Sequence, residues 1–187
     1  ERFQALVDEG DFPWAKLGLA RCLLRREELA RALNLCEEAI EAAPLYTNAY
    51  DLKAQIHANL GEHEAARDTV NAALAIAPLN FERKRRVMDY ALKAGDHATA
   101  QEIMRSMVKS PQDIEKLSLQ DRLSFARAEL AGGNKDAAAE LLSKIERRPM
   151  MPFEEQISIM CLMVQANPDK GAAEFNRLRQ RIAFTPL

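Results

Sequence analysis

The sequence predicts an all-α chain built as an array of antiparallel helix pairs, on three observations. Pro44 recurs as Pro78 and Gly61 as Gly95, each after a step of 34 positions. Alanine keeps the same step, from Ala39 to Ala73 and from Ala66 to Ala100. No segment alternates apolar and polar residues as a strand does. A fixed period of roughly 20–50 residues marks stacked repeats. The next step is looser, 33 positions from Pro78 to Pro111 and 38 from Gly95 to Gly133. The spacing inside each copy holds: Gly61 to Ala66, Gly95 to Ala100 and Gly133 to Ala138 are each a step of five.

Each mark has a physical job. The glycine ends one helix because it takes positive φ cheaply. The alanine lies on the following helix, where a larger side chain would push two crossing helices apart. The proline stops that helix, since it cannot donate the helical hydrogen bond. Ala66, Ala73 and Ala100 are therefore expected to be buried where paired helices cross.

In chain order, residues 1–10 read as an orphan helix with Phe3, Leu6 and Val7 on one face. Its repeat partner is expected upstream, because the chain opens on Glu1 and not on Met. Residues 11–46 form the first pair, with Pro13 placed to start a helix. Its turn, "RREE", reads as two residues longer than the others and lacks the glycine. Pairs follow over 47–80, 81–111 and 118–148, with "SPQDIEKLSLQD" as an insertion of about four residues. "RRPMMP" is a stop. A degenerate pair spans 152–185, and its last helix presents Ala173, Phe175, Leu178 and Ile182 as an apolar face, which suits a terminal cap. One continuous array of about eleven helices over residues 1–187 is expected.

Composition narrows the function. Apolar residues make up 48% of the chain and charged residues 29%, which supports a buried core under a soluble surface. A net charge of −2 argues against a general polyanion binder. No apolar run is long enough to cross a bilayer. Three cysteines are too poorly placed for a disulfide and read as small buried helix residues. His57, His63 and His97 lack the neighbours that complete a metal site. Gly132 and Gly133 are not followed by the Lys-Ser/Thr of a phosphate loop. Nothing marks a nucleophile elbow. The expectation is no enzyme, no catalytic residue, no metal and no cofactor. "RKRR" at 83–86 cannot form one helical face, because at most Arg83 and Arg86 share a side. It reads as a solvated stretch, with partner contact as the second reading. The six methionines in "MRSM", "RPMMP" and "IMCLM" read as core.

These residues resemble the tetratricopeptide repeat family. "WAKLGLAR" supplies Trp14, Leu17 and Gly18, with Arg21 where tyrosine is usual. The second copy supplies Tyr50, Ala54, Gly61, Ala66, Val70, Ala73 and Pro78. The third supplies Val87, Gly95, Ala100, Met104 and Pro111, and the fourth Phe125, Gly133, Ala138 and Leu142. The likeness covers roughly residues 11–148. It implies a right-handed superhelical solenoid and a protein–protein interaction scaffold. "PWAKLGLARCLLRREELARAL", "YDLKAQIHANLGEHEAA" and "NFERKRRVMDYALKAGDHATA" further resemble the repeat region of bacterial response regulators. That implies the output module of a two-component signalling protein, located in the cytoplasm.

The resemblance also implies a concave groove lined by the first helix of each pair. In the second repeat this selects Asn48, Asp51, Gln55 and Asn59, spaced 3, 4 and 4 along one helical face. In the third it selects Arg85, Asp89 and Lys93. Asn and Gln offer donors and acceptors for a peptide backbone, while Arg85 and Lys93 can hold a carboxylate. The first repeat offers Ala15, Leu19 and Cys22 as an apolar end. The expected partner is a protein or peptide, with neither nucleic acid nor membrane, and a homodimer is open. Two rival functions are a nucleic-acid-binding helical repeat and a structural oligomerisation module.

Overall fold

Twelve helices make up the described residues of the computed structural model, which are 2–10, 12–108, 111–145 and 151–183. They are α1 (Arg2–Glu9), α2 (Pro13–Leu24), α3 (Leu29–Ala42), α4 (Thr47–Asn59), α5 (His63–Ile76), α6 (Phe81–Lys93), α7 (His97–Met107), α8 (Pro111–Lys116), α9 (Leu119–Ala131), α10 (Lys135–Ser143), α11 (Phe153–Ala166) and α12 (Pro168–Ala183). The helix beyond the expected eleven is α8, a short turn of helix inside the "SPQDIEKLSLQD" insertion. No strand occurs among the described residues.

The period is stricter than the sequence reading held. Helices α2, α4 and α6 begin at Pro13, Thr47 and Phe81, and α3, α5 and α7 at Leu29, His63 and His97, so every step is the same. The first turn is therefore not two residues longer than the rest. Glu27 stands there at φ 63, where Gly61 and Gly95 stand at 79 and 78. A non-glycine residue in this left-handed region is uncommon, which is why the sequence pattern hid the turn. The correction moves the frame of the first copy. Ala20, and not Gly18, is the counterpart of Ala54, and both alanines are fully buried. Trp14, taken to open the motif, is 52% exposed. After α7 the frame shifts by four: α9 begins at Leu119, where the regular step from Phe81 would give position 115.

The chain forms two compact units, Glu1–Gly95 and Asp96–Leu187. In the first, short turns fold successive helices back as antiparallel neighbours. One core cluster, across α2 to α4, is Leu17, Ala20, Leu23, Ala32, Cys36, Ala39, Ala49, Leu52 and Ile56, and Val70, Val87 and Met88 are buried on α5 and α6. Ala32 and Ala39 on α3 and Ala66 and Ala73 on α5 have no exposed surface, so these helices approach closely, as expected. Helix α1 buries no residue completely. It seats Phe3 on α2, where a methyl at Gly18 would come within 2.4 Å of the Phe3 ring.

In the second unit, Leu123, Ala126, Ala138, Ala139, Leu142, Ile145, Ile159, Leu162, Met163 and Ala166 form the core. Ala100 on α7 is fully buried too. Only Asn167 separates α11 from α12, and its Oδ1 accepts from the Lys170 amide at 3.0 Å, a helix cap. Gly171 is buried, and a Cβ there would lie 2.5 Å from the Val164 Cα. This tight crossing sets the face of α12. Ala173 and Phe175, expected on the packed side, are exposed, while Leu178 is half-buried. The side chain of Ile182 lies outside the described residues, as does most of "RRPMMP".

Candidate functional site

Helices α4 and α6 occupy the same place in successive pairs, and one charge cluster joins them. Asn80 caps α6 by accepting from the Arg83 amide at 3.0 Å. One turn on, Arg86 shares the face of Arg83. Both reach Asp51 on α4. Arg83 donates from Nε to Oδ1 at 3.1 Å and from Nη2 to Oδ2 at 2.7 Å. Arg86 donates to Asp51 Oδ1 at 3.1 Å and to the Asp51 carbonyl at 2.9 Å. Arg83 is buried. The solvated reading of "RKRR" thus fails for half the run: two of its arginines lock α6 to α4. Arg85 turns the other way and bonds Glu82.

Beside this cluster lies a cleft of about 480 Å³ whose walls are first helices only. Arg21 comes from α2, Asn48, Asp51, Leu52 and Gln55 from α4, and Glu82, Arg86 and Tyr90 from α6. The two carboxylates are already committed, Asp51 to Arg83 and Arg86, and Glu82 to Arg85. Arg86 lies 5.9 Å from the centre of the Tyr90 ring, within cation–π range. Arg21, Asn48 and Gln55 make no side-chain hydrogen bond or ion pair with the described residues.

The structure brings Asn48, Asp51 and Gln55 together in this cleft. Asn59 and Lys93 are exposed at the far ends of α4 and α6, and Lys93 lies 6.0 Å from the Tyr90 ring. Arg85 and Asp89 are half-buried on α6 and are not among the cleft residues. The α6 face that enters the cleft is Glu82, Arg86 and Tyr90, which sequence reasoning did not select. In α2, Ala15 is buried, Leu19 half-buried and Cys22 exposed. The residue that α2 contributes is Arg21, which takes the place of Gln55 one repeat earlier. The turn at Glu27, once recognised, would have given that frame.

A second cleft, of about 500 Å³, lies in the second unit and is lined by Ser143, Ile145, Met163, Lys170, Ala173, Glu174 and Arg177, with Arg177 paired to Glu174. His57 Nδ1 lies 2.7 Å from Glu62 Oε2, tying the end of α4 to the next turn. All three cysteines are free; Cys36 is buried, but Cys22 and Cys161 are exposed, against expectation. Burial pushes the Cys36 thiol up to about 12, against the lowering effect of Lys53 and Arg21. Among the described residues, no group of His, Cys, Asp and Glu could hold a metal ion, and no helix is long and apolar enough to cross a membrane.

Residues 3–56, from α1 into α4, match the family model of the tetratricopeptide repeat. No protein of curated function matches the sequence. Solved structures with the same fold include a tetratricopeptide repeat protein from Parabacteroides merdae, at 16% identity and TM-score 0.73 over 90% of this chain. This chain spans 64% of that protein's length. MamA from Desulfovibrio magneticus RS-1 is 16% identical with TM-score 0.75, over 91% of this chain and 95% of its own. YrrB, a TPR protein with an unusual peptide-binding site, is 15% identical with TM-score 0.68, over 95% and 98%. Together, the family match at the start of the chain and these structures give it the all-helical fold of the tetratricopeptide-repeat solenoids.

Proposed function

We propose that this chain is a non-catalytic protein–protein interaction scaffold that holds an extended segment of a partner in the α2, α4 and α6 cleft. One observation carries the reading: three polar side chains with no described partner, Arg21, Asn48 and Gln55, converge on an open cleft. Polar groups held at one site on rigid helices fix a peptide's orientation through its backbone amides. YrrB, which shares the fold, has a peptide-binding site. In this reading Asn48 and Gln55 are direct contacts and Asp51 positions Arg86. Arg85, Asp89, Lys93 and Asn59 form a charged and polar rim.

The finer role, output module of a two-component response regulator in the cytoplasm, rests on the three segments that resemble such proteins. Its test is partner binding by the intact regulator with and without phosphorylation; equal binding in both states removes that role.

The scaffold reading is tested by selecting a random linear peptide library on the chain. Peptides that bind should lose about 2 kcal/mol when Asn48→Ala and Gln55→Ala are combined, with helicity unchanged. A library that yields no binder, or binders indifferent to that double variant, overturns it.

A further inference from the structure

We infer that the segment bound in this cleft carries a side-chain carboxylate, held by Arg21, and an aromatic or large apolar side chain about three residues away. This rests on the peptide-binding reading above and specifies its ligand.

The charge of the cleft is not what its lining suggests. Two arginines and two acids line it, which looks balanced. Yet Asp51 already receives Arg83 and Arg86, and Glu82 receives Arg85. Three arginines are therefore paired with these two carboxylates, and Arg21, the exposed arginine of the lining, makes no ion pair or hydrogen bond with the described residues. A guanidinium offers donors only, and its fork matches a carboxylate. Asn48 and Gln55 add amide donors beside it. The unmet capacity of the cleft is for an anionic acceptor.

The second half comes from α2. Trp14 precedes Arg21 by seven residues, two turns, so both lie on one face of the helix. Trp14 is 52% exposed, and its ring centre is 6.0 Å from that of Phe12, itself 42% exposed. Gly18 lies between Trp14 and Arg21 and carries the Phe3 ring. These three partly exposed aromatic rings make an apolar shelf on α2. Seven helical residues rise about 10.5 Å, and an extended peptide covers that in about three residues. Acid and aromatic in one ligand would then engage Arg21 and the shelf together.

The library test reads this directly if the random segment is displayed internally, without a free carboxy terminus. The selected sequences should carry Asp or Glu two to four positions from Phe, Tyr, Trp, Leu or Met. Arg21→Ala should weaken a selected, Trp-free peptide at least tenfold, and Arg21→Lys should restore part of that loss. Trp14 is the sole tryptophan, so its emission should shift on binding. Selected sequences without an acid, affinity unchanged in Arg21→Ala, or unchanged Trp14 emission overturns the inference while leaving the scaffold reading standing. Failure to select any peptide instead strikes the scaffold reading itself.

Discussion

Asp51 shows how one residue changes meaning between a helical wheel and a folded chain. Its carboxylate is enclosed by two arginines, one of them buried. Removing one partner of such a cluster leaves an uncompensated buried charge. Because Asp51 is partly exposed, Asp51→Ala should cost about 2–3 kcal/mol of stability, measured by urea unfolding, whereas Gln55→Ala should change little. Equal effects would deny Asp51 its structural role. Glu27 holds the left-handed turn at φ 63 without being glycine. Glu27→Gly should relieve that strain and raise stability by about 0.5–1 kcal/mol; a lower melting temperature would contradict it. Cys36 provides a pH signature. Its thiol ionises near 12 when folded, by burial above all, against an ordinary 9.0. Above pH 9.0 the unfolded chain loses this proton while the folded chain keeps it, so stability falls as pH rises. Below that pH the contribution is complete. As pH climbs past 9.0, the wild type should lose stability with a limiting slope of about 1.4 kcal/mol per pH unit from this group. Cys36→Ala should show a correspondingly flatter decline.

At the level of elements, small residues decide how closely helices pack. Ala66 on α5 has no exposed surface, nor do Ala32, its counterpart one repeat earlier, and Ala73 on its own helix. A larger side chain has no room there unless a helix moves. Ala66→Leu should cost about 1–3 kcal/mol by overpacking, and an unchanged thermal midpoint would place the close crossing elsewhere. The same logic explains α12. Gly171 against the Val164 backbone leaves no room for a Cβ, and this contact, not the apolar count of the helix, selects the face that α12 buries.

Across the molecule, a repeat array gains stability from each unit and its neighbours, so protection follows local burial. Helix α1 has no fully buried residue, while α2 to α5 enclose alanines without exposed surface and leucines nearly so. Hydrogen exchange within the first unit should therefore be fastest for α1 amides and slowest in α2 to α5. The reverse order would mean that the core assigned here does not limit opening. The same arrangement aligns α2, α4 and α6 so that equivalent residues of successive repeats, such as Arg21 and Gln55, meet in one cleft. A binding surface of this kind belongs to the array and to no single repeat.

Read along the chain alone, the residues dictate the all-helical class, the period and most helix limits. Gly61, Gly95 and Gly133 are needed where the backbone turns left-handed, and their alanine partners where helices cross, so both leave a readable trace. Asn48 and Gln55 were legible as one polar face of α4 because helical spacing alone defines a face. The frame of the first copy was not, because Glu27 takes the place of a glycine and the Trp14, Leu17 and Gly18 spacing offered a false match. Nor was the allocation of charge. Asp51, Arg85 and Arg86 are all polar positions on helices when read along the chain. Packing α6 beside α4 settled that Arg83 and Arg86 neutralise Asp51, that Arg85 turns to Glu82, and that Arg21 is left open. Spacing fixes which residues share a helix face. Which of them meet a partner depends on side-chain reach between helices that are distant in sequence, as Arg83 and Arg86 are from Asp51.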